Sequence, residues 1–118
     1  MKRIIYFISI LIVVVFIKCK KYNECNVDEP ITELSWLEEL KQQIDDSCFH
    51  CEVSILQAEY RSQTVFYTSI TDPLCNSIFS VDLLNCNGKV IRHFSSEDRE
   101  KFYNKVTNSK KLYSCTPK

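Results

Sequence analysis

Hydrophobic residues follow three patterns along the chain, and the first is a continuous apolar run near the N-terminus. This run extends from Ile4 to Ile17 with only Ser9 as a polar interruption, and Lys2 and Arg3 precede it. A short basic segment followed by an apolar segment of this length is typical of a secretory signal peptide. As a helix the run reaches about 21 Å, short of the roughly 30 Å hydrocarbon core of a bilayer. The pattern therefore predicts a removed signal peptide over residues 1–18 and not a membrane-spanning helix.

Cys19 follows the apolar run almost directly. Bacterial lipoprotein signals are cut just before a cysteine that then carries the lipid, so we predict lipidation of Cys19 and a lipidated tether over residues 19–30. The residues before Cys19 are larger than is usual at such sites. An uncleaved N-terminal anchor and another form of processing are therefore alternatives. All three place residues 20–118 outside the cytoplasm.

The second pattern is helical spacing after Pro30. Between Ile31 and Asp46, apolar residues recur three or four positions apart, at Leu34, Leu37, Leu40 and Ile44. Ser35 and Glu38 have the spacing of a capping box, in which each side chain pairs with the backbone N–H of the other residue. We predict an amphipathic helix that packs its apolar face on the rest of the domain.

The third pattern has the period of a β-strand. Segments rich in β-branched and aromatic residues, or alternating between apolar and polar residues, predict four strands, at residues 53–60, 64–70, 78–83 and 90–94. The polar stretch 61–63 separates the first two strands. Asn87-Gly88 contains the only glycine and is a strong hairpin signal before the fourth strand. Short turns join antiparallel neighbours, so these strands are expected to form a meander.

A second helix is predicted after the fourth strand, because Ser95 or Ser96 is a suitable N-cap and acidic residues follow in the first turn. The residues after Val106 are expected to form a closing tail that contains Leu112, Tyr113 and Cys115. The expected fold class is α+β. An N-terminal amphipathic helix packs on a four-stranded antiparallel meander, a C-terminal helix follows, and residues 31–118 form one small disulfide-stabilised domain.

The chain has seven cysteines, and lipidation of Cys19 would leave an even number for disulfide bonds. Exported domains of about one hundred residues are often stabilised by disulfides, because their hydrophobic cores are small. We predict three bonds among the remaining six cysteines, which are Cys25, Cys48, Cys51, Cys75, Cys86 and Cys115.

Strand register predicts one of these bonds. If the first two strands form a hairpin about Arg61-Ser62, the numbers of paired residues add up to about 123 to 125. Position 75 then lies near Cys48 and Cys51, so we predict that Cys75 bonds to one of these two. The local geometry leaves the other pairings open. We expect Cys86 to join Cys115, and Cys25 to join the other cysteine of the pair near the end of the first helix.

The formal net charge of zero hides an uneven distribution. Residues 24–59 contain ten acidic residues and one basic residue, whereas residues 60–118 contain five acidic and nine basic residues. The basic residues are spread over several predicted elements, without an arginine-rich stripe or interleaved aromatic residues, so no nucleic-acid surface is predicted. We interpret the two halves as solvated faces of opposite sign.

Cys48-Phe49-His50-Cys51 is the motif with the most distinctive chemistry. In thiol oxidoreductases such a pair opens a helix after a strand, whereas here it is predicted to follow a helix and precede a strand. A zinc site built from Cys48, Cys51, Cys75 and Cys86 is a further alternative. Structural disulfides are the main prediction, because cysteines of exported proteins are mostly oxidised.

Patterns typical of catalysis do not occur in the sequence. The two histidines, His50 and His93, belong to no G-x-S-x-G or H-E-x-x-H motif, and a single glycine excludes a glycine-rich phosphate loop. The adjacent Asp45 and Asp46 are predicted to be solvated at a helix end. We therefore expect no enzymatic activity, no cofactor and no metal ion.

Four segments, at residues 33–40, 55–60, 64–67 and 85–91, resemble a family of small bacterial lipoproteins of uncharacterised function. Members of that family typically have a "PWL" helix start, a "Y-x-Y-x-G-x-x-V-Y-Y" hairpin and a "Y-D-x-x-G-N-V-I" hairpin. The chain has Ser35 where the family usually has proline. The resemblance implies an envelope location and this fold, and it implies no activity.

Together these features lead us to expect an exported, lipid-anchored protein of the cell envelope, at the outer membrane or the periplasmic face. Its expected partners are the membrane, through the N-terminal lipid on Cys19, and another protein that the domain binds without catalysis. The alternative is a periplasmic thiol-redox or zinc-binding protein that uses Cys48 and Cys51.

Overall fold

A computed structural model describes residues 25–117. The helices are α1 (Pro30–Glu33), α2 (Ser35–Ser47) and α3 (Arg99–Lys105), with a 3₁₀ turn at Ser96–Asp98. The strands are β1 (Val53–Tyr60), β2 (Gln63–Ile70), β3 (Val81–Leu84), β4 (Val90–Phe94) and β5 (Thr107–Ser114). The α+β fold class is therefore confirmed. The predictions for the signal peptide and for Cys19 lie outside the described residues.

The β1–β2 hairpin has the predicted turn and register. Arg61 and Ser62 form its two-residue turn, and both have a positive φ, 49° and 59°. Positive φ at both central residues is characteristic of a type I′ turn, whose twist matches that of the flanking strands. Val53 pairs with Ile70 at the far end of the hairpin, so the register is uninterrupted along both strands. This hairpin forms the centre of the sheet.

The sheet has five strands and not four, in the order β4-β3-β2-β1-β5. The segment predicted as a closing tail forms β5, which pairs antiparallel with β1. The first five residues of β5, Thr107 to Lys111, are polar and exposed, so they lack the alternation that indicates a strand. Only the position beside β1 makes this segment a strand. The pairing of β5 with β1 has two register shifts, and β5 carries Lys110 and Lys111. Irregular pairing and lysines on an edge strand discourage pairing with other chains.

The predicted N-terminal helix is interrupted at Leu34, which has extended backbone angles, φ −96° and ψ 107°. Pro30 starts the short helix α1, where its missing N–H costs nothing, and Leu34 then serves as the N-cap of α2. The capping box predicted for Ser35 and Glu38 is therefore wrong, because Ser35 is already the first helical residue. The amphipathic helix itself is present, with Leu37 and Ile44 buried.

The sheet carries a hydrophobic core on each face. On one face, α2 packs on a cluster that includes Leu37, Ile55 and Phe66. On the other face, α3 packs on a second cluster that includes Val65 and Phe102. The neighbouring residues Val65 and Phe66 enter different cores because successive side chains of a strand point to opposite faces. The result is a three-layer arrangement with the central strands covered on both sides.

Ser95 is the predicted cap, but it caps the 3₁₀ turn at Ser96–Asp98, and the α-helix α3 begins only at Arg99. The Ser95 backbone N–H donates a hydrogen bond to the Asp98 carboxylate at 3.3 Å, and the Ser95 hydroxyl lies 3.1 Å from the same oxygen. These hydrogen bonds from Ser95 lower the pKa of Asp98 below its ordinary value. Helix α3 then carries the chain from β4, at one edge of the sheet, to β5 at the opposite edge.

All six cysteines of the described residues form disulfide bonds. Cys75 bonds to Cys51, one of the two partners that the hairpin register predicts. The other predicted pairings are wrong, because the structure joins Cys25 to Cys86 and Cys48 to Cys115. The reason is β5: it returns beside β1, so Cys115 lies next to the end of α2 and far from the β3–β4 hairpin. Three disulfide bonds are typical of a protein in an oxidising compartment, outside the cytoplasm.

Trp36 packs directly on the β3–β4 hairpin. Its ring N–H donates a hydrogen bond of 2.8 Å to the Cys86 carbonyl, and its ring meets Phe66 edge to face at 5.5 Å. Gly88 turns the hairpin with φ 79°, and a Cβ placed on it would lie 2.8 Å from a ring carbon of Trp36. Glycine is required here both for its conformation and for the close approach of the ring.

Replacing Gly88 by alanine is expected to lower the free energy of unfolding by about 2 kcal/mol, because alanine resists the left-handed conformation and its methyl group displaces the indole. Urea unfolding followed by the fluorescence of Trp36, the only tryptophan, measures this loss. The control is Asn87→Ala, an exposed neighbour in the same turn, which should change the stability by less than about 0.5 kcal/mol. Equal effects of the two variants would contradict the close packing of Trp36 on Gly88.

Candidate functional site

The chain leaves the sheet between β2 and β3, and residues 71–80 form a loop, here called the 71–80 loop. The strand predicted from Ile78 begins only at Val81. The Cys51–Cys75 disulfide ties this loop to the segment that precedes β1. A hydrogen bond of 3.1 Å from the Thr71 N–H to the Glu52 carbonyl holds its start. The loop is thus attached at its first half, and in its second half Phe79 is half-buried and packs on the core cluster that contains Phe102, while Ile78 is exposed.

A groove of about 520 Å³ lies between the end of β2, the second half of the 71–80 loop and the start of α3. We call it the aromatic groove. Its lining includes Tyr67, Ile78, Phe79, Arg99, Phe102 and Tyr103. Its volume falls within the range of pockets that hold small ligands or single side chains of a partner.

Phe102 forms the floor of the aromatic groove and organises the rings around it. It is 4% exposed, and its ring meets those of Tyr67, Phe79, Phe94 and Tyr103 at centroid distances of 5.2 to 5.4 Å. All four contacts are edge to face, the geometry in which the positive edge of one ring meets the negative face of another. The floor is therefore a packed aromatic cluster.

Arg99 is the only charged residue among the described residues that line the groove. Its guanidinium lies 5.9 Å from the centroids of both Phe79 and Tyr103. Within residues 25–117 it forms no ion pair. An exposed cation held over aromatic faces remains available for an anion, because the rings attract its charge without neutralising it.

Tyr67 is the most buried polar residue of the described lining, and its side chain ends in a hydroxyl. It donates a hydrogen bond of 2.9 Å to the Ser109 hydroxyl on β5. Burial raises the pKa of Tyr67 above its ordinary value, although the hydrogen bond to Ser109 opposes this effect. Tyr67 is therefore protonated at neutral pH and acts as a structural donor between β2 and β5. It offers no proton acceptor for catalysis.

Large apolar side chains are exposed around the groove and its loop. Leu74 is 92% exposed, Ile78 85%, Tyr103 62% and Ile70 41%. Single exposed apolar residues are ordinary, but several within one loop and its neighbouring groove are typical of a binding surface. No local pattern predicted this surface, because Tyr67, Ile78 and Arg99 belong to three separate elements.

The Cys48/Cys51 motif is divided between two disulfide bonds. Cys48 is buried and bonds to Cys115, and Cys51 bonds to Cys75. A thiol-redox role would require both bonds to be reduced first. Among residues 25–117, no group of three or more histidine, cysteine, aspartate or glutamate side chains is arranged to hold a metal ion.

Another polar pair that the sequence did not reveal lies on the edge of the sheet. His93 Nδ1 and Asp82 Oδ1 are 2.6 Å apart across β4 and β3. Both side chains are 55% exposed, so solvent screens their interaction. They face away from the aromatic groove, since residues 82 and 93 point to the sheet face opposite Val81 and Phe94.

Comparison with known proteins yields no relative for this chain. No protein-family model matches it, no curated protein matches it, and no solved structure matches it. Within the part of the chain that the structure describes, no helix is long and apolar enough to cross a membrane.

Proposed function

We propose that this protein is an exported, lipid-anchored protein of the bacterial cell envelope that binds another protein and performs no catalysis. Residues 1–18 act as the signal peptide, and Cys19 carries the lipid. The signal-like N-terminal pattern and the three disulfide bonds both support an oxidising compartment. The lipid then joins a small rigid domain to the membrane through a short tether.

The observation that carries the binding role is the aromatic groove with its exposed apolar surroundings. The described residues of its lining provide aromatic rings, aliphatic side chains, hydroxyl groups and a single cation. These groups suit recognition, because large rigid side chains with few charges dominate the centres of protein interfaces. They provide no general base and no nucleophile beside a base, which catalysis of acyl transfer would need.

Changing Cys19 to serine tests the anchor. The variant is expected to move from the membrane fraction to the soluble fraction of the envelope, or to retain its signal, while its three disulfide bonds form normally. Fractionation and the intact mass of the mature protein measure this outcome. The matched control is Cys25→Ser with Cys86→Ser, which removes two other exported cysteines and should remain anchored. A mature mass that still includes Met1 would contradict lipidation.

Counting thiols on the native exported protein tests the non-catalytic role. We expect no reactive thiol after the lipidated Cys19 is accounted for, and no bound zinc. Two or more reactive thiols, or zinc in stoichiometric amount, would support the thiol-redox or zinc-binding alternative at Cys48 and Cys51 instead.

A further inference from the structure

The domain has two ends that differ in chemistry. One end, here called the hairpin end, contains the Arg61-Ser62 turn, the β3–β4 turn and the Cys25–Cys86 bond. The opposite end, here called the loop end, contains the 71–80 loop and the aromatic groove. Because Cys25 is bonded to the hairpin end, the tether from Cys19 reaches the domain there.

The length of the tether limits how the domain can face the membrane. Cys19 and Cys25 are six residues apart, a span of at most about 20 Å in extended chain. Strand β1 alone has eight residues and separates the two ends by about 26 Å. Cys86 lies two residues beyond Leu84, which pairs with Phe66 in β2, so Cys25 lies about 20 Å from the loop end, the full reach of the tether. A domain on its loop end would need a fully extended tether, whereas a domain on its hairpin end would not. The aromatic groove therefore faces away from the lipid surface when the domain stands upright on its tether.

The charge of the groove indicates the chemistry of its occupant. No acidic side chain lines it, and Arg99 has no ion-pair partner within residues 25–117. Its aromatic floor accepts an apolar group, and the rings of Phe79 and Tyr103 hold the guanidinium at the mouth. A complementary partner has an apolar side chain next to a carboxylate, since arginine binds carboxylates through paired hydrogen bonds.

We propose that the aromatic groove binds a protein partner by taking in an apolar side chain of that partner, while a neighbouring carboxylate of the same partner pairs with Arg99. The inference rests on the proposed function, because the anchor at Cys19 sets which end of the domain faces the membrane. Ile78, which is 85% exposed on the groove wall, extends the apolar contact. The partner approaches from the side opposite the membrane.

Photo-crosslinking in cells that export the full chain tests this proposal. A photoreactive phenylalanine analogue replaces Ile78, and in a second strain it replaces Val90, which is 57% exposed near the hairpin end. The Ile78 position is expected to give a protein adduct of one defined mass. The Val90 position is expected to give no adduct of that mass.

The adduct must depend on the charge of Arg99. Arg99→Gln is expected to reduce the yield at position 78 by about tenfold, the effect of losing one well-formed interface contact. Lys105→Gln is the matched control, since it removes a cation from the same helix outside the groove and should leave the yield unchanged. Mass spectrometry of the adduct identifies the cross-linked segment of the partner. Arg99→Glu combined with replacement of one carboxylate of that segment by lysine is expected to restore the yield.

Four results would overturn the proposal: an adduct with lipid, a cross-link within the chain's own N-terminal segment, no adduct at position 78, or equal yields from Arg99→Gln and Lys105→Gln. A protein adduct at position 90 without one at position 78 would contradict binding in the aromatic groove but not the protein-binding role. The absence of a protein adduct at both positions would contradict both. A mature protein without lipid would contradict the proposed function, and with it the orientation of the domain on the membrane.

Discussion

Replacing both Cys48 and Cys115 by alanine is expected to lower the free energy of unfolding by about 4 kcal/mol. The bond joins residues that are 67 positions apart, so it restricts the unfolded chain strongly. Both cysteines are almost fully buried, at 1% and 2% exposure, so the variant also loses packing between the end of α2 and β5. For a small domain whose total stability is of the order of 5 to 15 kcal/mol, this is a large fraction.

Urea unfolding followed by the fluorescence of Trp36 measures the loss. The matched control is the double variant Cys51→Ala with Cys75→Ala, whose bond spans 24 positions and is partly exposed. That variant is expected to lose about 3 kcal/mol, because a shorter loop constrains the unfolded chain less. A greater loss in the control than in the buried pair would show that β5 is held to the sheet without its disulfide.

Phe102→Ala is expected to lower the free energy of unfolding by about 3 to 5 kcal/mol. The side chain is 4% exposed and contacts four other rings, so its removal leaves a cavity under α3 that the rigid sheet cannot close. Helix α3 has only seven residues, too few to be stable without packing of its apolar face. The same substitution removes the floor of the aromatic groove.

Chemical denaturation of Phe102→Ala and of Tyr103→Ala distinguishes the loss of a buried side chain from the effect of placing alanine in α3. Tyr103 is the next residue in α3 but is 62% exposed, so its variant should lose no more than about 1 kcal/mol. Hydrogen exchange provides a second readout, in which the amides of α3 lose protection in Phe102→Ala while those of β1 and β2 keep theirs. Similar losses in the two variants would contradict the central position of Phe102.

Local patterns determined the elements whose structure depends mainly on their own residues. The sequence predicts the β1–β2 hairpin with its turn at Arg61-Ser62, because two segments rich in β-branched and aromatic residues lie on either side of a short polar stretch. The same holds for β4 and for the cap at Ser95, which starts the 3₁₀ turn that leads into α3. One long-range contact also follows in part from local information: the hairpin register, which extends beyond the strands, narrows the partner of Cys75 to Cys48 or Cys51, and the structure joins it to Cys51.

Strand β5 could not be predicted from its own residues. The polar run from Thr107 to Lys111 resembles a solvated tail, and it becomes a strand only because the unpaired edge of β1 offers hydrogen-bond partners. This one misassignment also explains the wrong disulfides. Without β5 beside β1, nothing in the sequence brings Cys115 to Cys48.

The N-terminal pattern and the cysteine count are properties of the sequence alone, and they carry the expectation of export and of three disulfide bonds. The aromatic groove is a property of the tertiary structure alone. Its residues come from β2, the 71–80 loop and α3, and each has an ordinary sequence context. Their proximity arises because α3 crosses the sheet from one edge to the other, and that path is set by burial of Phe102 against strands distant in sequence.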